Sequence, residues 1–261
     1  MLRSIVQYRR FIWQQALADL RNRYAGTSLG VAWNVVHPLA IMAVYCIVFS
    51  RIMPVKLASQ PSWASYALYL CCGFFPWLAF TDCVNRGCVA FVANASYLKK
   101  LPIPEQVFVA QAAAATALNL AISFALLLAV AIAVGFHPMW HWLLLPAPLL
   151  LILALGFGFG LLLGTLNVFF RDLTETVAVV LQIAMWTAPI VYLPDNLPPL
   201  FKSLLRWHPF VPGLNGVRDL FLSGKTPDVA NWLAMIAWPA GIILLAFVVF
   251  RLLRDDIRDL V

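Results

Sequence analysis

From Tyr24 to Ser50 the chain carries no Asp, Glu, Lys or Arg. That run exceeds the roughly 20 residues with which an α-helix crosses a bilayer, and the hydrocarbon interior tolerates few other ways of satisfying a single segment's backbone. Asp19, Arg21 and Arg23 precede it, Gly26 and Gly30 interrupt its first part, and Arg51 closes it. A charged segment therefore lies against a membrane and turns directly into it. Residues 4 to 24 read as a helix in the interface, with Ile5, Ile12, Trp13, Ala16, Leu17 and Leu20 on one face. Arg3, Gln7, Arg10, Gln14 and Arg21 share the opposite face. Such a helix serves as a surface anchor, or as an anchor that also meets a partner subunit.

Composition carries the membrane reading to the whole chain. Hydrophobic residues make up 63% and charged residues 11%, against about 25% charged in soluble domains, so a single water-soluble domain could not hide its apolar side chains. Five further apolar stretches follow, at about 63–83, 106–135, 141–170, 174–193 and 230–250. Arg9, Arg10, Arg21 and Arg23 interrupt any cleavable signal core, so the first span is expected to stay. Six spans put both termini on one side. Twelve Lys and Arg residues fall on that side and six on the other, which places both ends in the cytoplasm.

The connection at about 194–229 is then external and rich in proline. Its short apolar segments Leu200 to Trp207 and Leu214 to Leu222 are expected to re-enter the membrane as short helices, forming either a gate or a partly buried cap. The expected fold is an all-α integral membrane protein: an interfacial helix over 1–28, a six-span domain over 29–253 and a cytoplasmic tail over 254–261.

Within the fourth stretch Gly156, Gly160 and Gly164 recur every four residues, which predicts a face for close helix packing. A phosphate loop would need a Lys-Ser/Thr pair that is missing. The five cysteines sit in or beside apolar runs without metal-ligand spacing and read as small buried hydrophobes. His137 and His141 flank Pro138, which breaks the helix that would align them, so no metal site is expected. Asp82 is the only carboxylate near the interior of a span; it faces a hydrated path or, preferably, pairs at the interface with Arg86 one turn on.

Paired carboxylates, a nucleophile with its base and GxxxxGK[ST] are all missing, so no catalytic residue is assigned and any work must be driven by ATP on another chain. Lys99 and Lys100 precede Pro102 and Pro104 in a short basic segment that is either a solvated turn or a docking surface; Glu105 suits the first turn of the next helix. Asp172 and Glu175 have capping-box spacing at the start of the fifth stretch. Trp33, Tyr45, Phe49, Phe74, Phe75, Trp77, Phe80, Phe169, Phe170 and Trp186 could face sugar C–H surfaces, although lipid contact or helix packing is the commoner role of any one aromatic.

Taken in order, the segments resemble a family. Arg23-Tyr24-Ala25-Gly26-Thr27-Ser28-Leu29-Gly30-Val31-Ala32-Trp33 followed by His37-Pro38 is similar to the start of the first span in permeases of bacterial ABC polysaccharide exporters of the O-antigen, capsule or teichoic acid type. Asn94 with Lys99, Lys100 and Pro102 resembles their coupling segment, Asn167 to Leu173 their next cytoplasmic turn, and Pro189 to Tyr192 the end of their fifth span. Two features depart from the pattern: His208-Pro209 stands where Asn-Pro is usual, and Pro102-Ile103-Pro104 where one aromatic-Pro step is common.

The resemblance implies an inner-membrane homodimer of six-span subunits with two ATP-binding-cassette subunits beneath it. It implies no cofactor in this chain, ATP and Mg on the partner, contact with membrane lipids and none with nucleic acid. Its channel, lined chiefly by the first, second and fifth spans, would pass a lipid-linked or lipid-capped glycan outward. On that basis Arg21, Arg23, Lys99, Lys100, Arg171 and Asp172 are expected to couple to the ATPase, and Trp33, Tyr45, Phe49, Phe75, Trp77 and Trp186 to line the path. The alternatives are an ABC permease for drugs or small lipids and a membrane enzyme acting on lipid-linked sugars.

Overall fold

A computed structural model describes residues 2–23, 25–52, 63–100, 103–193, 198–205 and 207–260. Helices α1 (Leu2–Gln7) and α2 (Arg9–Asn22) form the amphipathic start. Ile12 and Ala16 of α2 are buried and the helix packs along α6, while Trp13 of the same apolar face stays exposed. The chain then turns at Gly26 and Gly30, whose φ values of 84° and 50° lie where a side chain is strained, and passes through a 3-10 turn into α3 (Trp33–Ile52). The uncharged run is thus spent partly on the turn. The remaining elements are α4 (Trp63–Ala93), α5 (Ala95–Lys100), α6 (Gln106–Ala133), a 3-10 turn leading into α7 (Pro146–Asn167), α8 (Leu173–Thr187), α9 (Pro199–Leu205), α10 (Val211–Arg218), a π-turn over Asp219–Ser223 and α11 (Val229–Leu260).

Among the described residues four segments are long and apolar enough to cross a membrane: Ser65–Ala93, Gln106–Ala133, Trp140–Asn167 and Val229–Arg254. The first and fifth stretches form shorter apolar helices, Gly30–Tyr45 and Leu173–Thr187. The fifth is short for a local reason. Pro189 disfavours a helical conformation at the residue before it, and Ala188 is extended with ψ 139°.

The glycine face predicted in the fourth span packs as expected, and its counterpart is Gly87 of α4. A Cβ on Gly87 would lie 2.5 Å from the Cα of Gly160, and a Cβ on Gly164 would lie 2.5 Å from the Gly87 carbonyl oxygen. Gly156 abuts Cys83 on the same seam, while Gly158 points the other way onto Ile242 and Ile243 of α11. Helix α7 is therefore clamped between α4 and α11 at backbone contact, where small residues permit a close approach.

Two buried clusters stack along the bundle. One gathers Ile12, Phe91, Leu98, Val107, Leu161, Phe250 and Ile257, so α2, α5 and the C-terminal part of α11 share one end. The larger cluster holds the middle and the opposite end, with Phe75, Trp77, Phe124, Ile190, Phe210, Leu214 and Phe221. Residues 254–260, set apart above as a tail, continue α11 without a break. Arg254 Nε donates to Glu105 Oε2 at 3.3 Å, and this fully buried carboxylate joins the start of α6 to the last helix instead of merely facing its own helix end.

Candidate functional site

At the α2 end, charge is organised by a network joining three helices. Arg86 Nη1 donates to Asp19 Oδ2 of α2 at 2.8 Å and stands 4.0 Å from Asp82 Oδ2, one turn earlier on α4. Thr116 Oγ1 of α6 donates to Asp82 Oδ2 at 2.6 Å, and Arg23 Nη2 reaches Asp82 Oδ1 at 3.5 Å. The expected Asp82–Arg86 pairing is present, but the shorter bond of Arg86 goes to Asp19. Asn34 Nδ2 donates to the Leu20 carbonyl, fixing the start of α3 on the end of α2.

This network floors a crevice of about 380 Å³ between α3, α4 and α6. Trp33, Asn34 and His37 come from α3, Phe75, Asp82 and Asn85 from α4, and Thr116, Asn119 and Ser123 from α6. Asn119 Nδ2 is buried and makes no hydrogen bond. Arg23 lines this crevice, whereas Arg21 is exposed at the end of α2.

The other residues assigned to coupling lie on the same end of the bundle. Lys99 and Lys100 are exposed on α5, while buried Leu98 and the ring of Tyr97, 6.3 Å from Phe108, hold that helix down. Asn94 Nδ2 donates to the Ala90 carbonyl and closes the end of α4. Arg171 and Asp172 are exposed in the α7–α8 turn, and a cavity of about 420 Å³ lies between this turn and the start of α5, lined by Val92, Ala95, Asn167, Arg171 and Thr174. The capping-box reading of Asp172 is corrected here. Its backbone is already helical, with φ −76° and ψ −5°, and its side chain makes no cap bond, leaving the carboxylate outward.

The residues assigned to the path do not share one wall of the subunit. Trp33 and Phe75 both line the crevice. Tyr45 meets Phe74 edge-on at 5.1 Å. Trp77 is 3% exposed and packs edge-on against Phe210 at 4.9 Å, in the middle of the larger cluster. Trp186 is 62% exposed, on a face of α8 with Val179 and Ile183. The side chain of Phe49 lies outside the described residues.

At the opposite end the organising residue is Arg218. Its side chain is buried, donating from Nη1 to the Pro189 carbonyl at 2.7 Å and from Nη2 to the Ile190 carbonyl at 2.9 Å, with its guanidinium 3.7 Å from the centre of the Tyr69 ring. Tyr66 and Tyr69 donate to the next two carbonyls, Val191 and Tyr192, at 2.5 and 3.2 Å. Four successive carbonyls of the irregular segment after α8 are thus satisfied from α10 and α4. A cation inside the apolar segment Leu214 to Leu222 was the available signal. A cavity of about 1110 Å³ opens beside it, lined by Tyr69, Pro189, Arg218, Asp219 and Asn231. Burial, reinforced by Asp228, pushes the carboxyl of Asp219 up from the usual range, and Lys225 partly opposes this.

Residues 7–222 match the family model described as ABC-2 type transporter. Two curated relatives from Klebsiella pneumoniae, each named O-antigen export system permease protein RfbA, are 28% identical over 207 residues, covering 79% of this chain and 78% of theirs. A relative of the same name from Myxococcus xanthus is 26% identical over 261 residues, covering 99% and 98%. With a helical bundle of membrane-crossing length and a family match over most of its residues, the chain belongs to the ABC-2 type transporter family.

Proposed function

We propose that the protein is the channel-forming permease subunit of an ATP-driven exporter that moves a lipid-linked or lipid-capped polysaccharide out of the cytoplasm across a bacterial inner membrane. The observation that carries this is the family match over residues 7–222 together with end-to-end similarity to a permease named for O-antigen export. In this reading α3 and α8 join the four longer segments as spans, both termini are cytoplasmic, and α9 and α10 are short re-entrant helices forming an outer gate. A second copy completes the channel, and two ATP-binding-cassette subunits supply ATP and Mg.

The common end of the bundle supports the coupling assignment: Lys99, Lys100, Arg171 and Asp172 are all exposed there, and Arg171 lines a cavity that could receive part of the ATPase. Arg21 fits the rim of the same face, while Arg23 is assigned to the crevice network. Exposed apolar residues on α3 and α8, Ile47 and Trp186 among them, suit contact with lipid or the second copy. Trp33, Tyr45, Phe75 and Trp186 remain the proposed path residues, with Phe49 assigned on the resemblance alone; Trp77 enters the path only if its packing opens during transport.

Copurification from detergent should recover the permease with a P-loop ATPase, and the reconstituted pair should hydrolyse ATP while the permease alone does not. Replacing Lys99 and Lys100 together by Glu should lower ATPase stimulation or complex yield several-fold while membrane insertion stays intact. Hydrolysis by the isolated subunit, or unaltered surface glycan in a strain lacking it, would refute the reading.

A further inference from the structure

The crevice between α3, α4 and α6 contains an arrangement that helix packing does not account for. Polar side chains inside membrane helices are costly unless paired or facing water, and here Asn34, Asn85, Thr116, Asn119 and Ser123 converge on one space. Asn34 and Thr116 have protein partners, whereas Asn119 Nδ2 is buried without an acceptor. A buried, unmatched donor costs stability, and it stays in a site when a ligand supplies the acceptor.

The chemistry of the lining selects among ligands. A lipid tail would leave the amides and hydroxyls unpaired. A phosphate would need net positive charge, but the Arg23 guanidinium faces Asp82, whose carboxylate is further held by Arg86 and Thr116. What fits is a neutral ligand rich in hydroxyls with an apolar face, for which Trp33 and Phe75 provide the wall. The volume of about 380 Å³ suits a small ligand and not a polymer.

Resting on the proposed glycan export, we propose that this crevice is a sugar-binding subsite: one sugar unit of the passing glycan occupies it, and the Asn119 amide, whose Nδ2 is closed off while the crevice is empty, turns to donate to a hydroxyl or ring oxygen. The site lies above the Asp19–Arg86–Asp82–Arg23 network, so the α2 helix is connected to the helices that hold the sugar.

The test uses the permease copurified with its ATPase and reconstituted in lipid nanodiscs. A Ser123→Cys variant is labelled with a small methanethiosulfonate, the parent setting the background from its own cysteines. The probes are lipid-linked glycan extracted from the producing cells and the same extract after mild acid has released the sugar and the freed glycan has been washed away. Intact extract should slow labelling and acid-treated extract should not. Asn119→Leu, added to that variant, should weaken protection roughly tenfold, the worth of one hydrogen bond in a desolvated site. It should also lower export while raising the melting temperature, because it removes an unmatched donor.

Equal protection by acid-treated extract would make the crevice a carrier-lipid site and overturn the proposal. Absence of protection, or protection and export unaffected by Asn119→Leu, would leave it a water-filled crevice and overturn it as well. In both cases a strain deleted for the permease separates the two levels. Loss of surface glycan on deletion would show that only the subsite had failed; persistence of glycan would refute the export reading itself.

Discussion

The two ends of the bundle hold an arginine in opposite ways. At the α2 end Arg86 and Arg23 meet carboxylates, and the side chains of the network remain 26 to 38% exposed. At the other end Arg218 has no carboxylate partner in its described contacts, is 8% exposed, and is held by two carbonyls and an aromatic ring. Partly solvated ion pairs are screened and individually weak, whereas a buried cation whose donors fill carbonyls of an irregular segment cannot leave without orphaning them. The first arrangement suits surfaces that shift against one another, and the second a joint that must hold its shape or open all at once.

The largest effect should come from Arg218→Met. It strips two charge-assisted hydrogen bonds and leaves the Pro189 and Ile190 carbonyls unpaired, for a loss of about 3 kcal/mol or more. A marked drop in melting temperature of the purified complex is expected, with Arg218→Lys recovering part of it because one ammonium lacks the two-pronged geometry. Parent-like melting of the Met variant would abolish the contrast between the ends.

Gly87→Ala tests what both ends share. Its added methyl would press on the Gly160 backbone at the α4–α7 seam and should cost about 1–3 kcal/mol, since overpacking against backbone cannot be relieved by a rotamer change. Melting should fall without salt sensitivity. Arg86→Met should cost about 1 kcal/mol, and the deficit should shrink as salt rises. A deficit independent of salt would show that the α2 end is as rigid as the other.

The smallest expected effect sharpens the picture of the Arg218 end. With the folded carboxyl of Asp219 raised above its unfolded value, no penalty exists below the unfolded range, and a penalty grows as pH climbs through the raised range. Asp219→Asn should therefore melt slightly above the parent at neutral pH and level with it in acid. The reverse order would mean that Lys225 outweighs burial and Asp228.

The difference between the ends also explains what could be read in advance. Asp82 and Arg86 lie one helical turn apart, so their pairing follows from spacing, as does the seam of Gly156, Gly160 and Gly164. Gly87, Asp19 and Arg218 act on partners far along the chain and carry no local periodicity that would announce them. Asp172 misled for the converse reason: its spacing matched a cap, but a residue already in helical conformation cannot turn its carboxylate back onto the first turn. Of the aromatic residues assigned to the path, Trp33 and Phe75 meet at one crevice while Trp77 is absorbed by packing, because hydrophobicity alone does not say which side of a wholly apolar helix faces a neighbour.

By itself the sequence determined a membrane-embedded helical protein, because apolar length and sparse charge are properties of the linear chain. The folded arrangement alone decided that Arg218 ties α10 to the segment after α8, that Gly87 receives α7, and that an unmatched amide on α6 lies beside a polar crevice. Hydrogen bonds and close packing depend on where distant segments meet, and no local pattern of residues encodes that meeting.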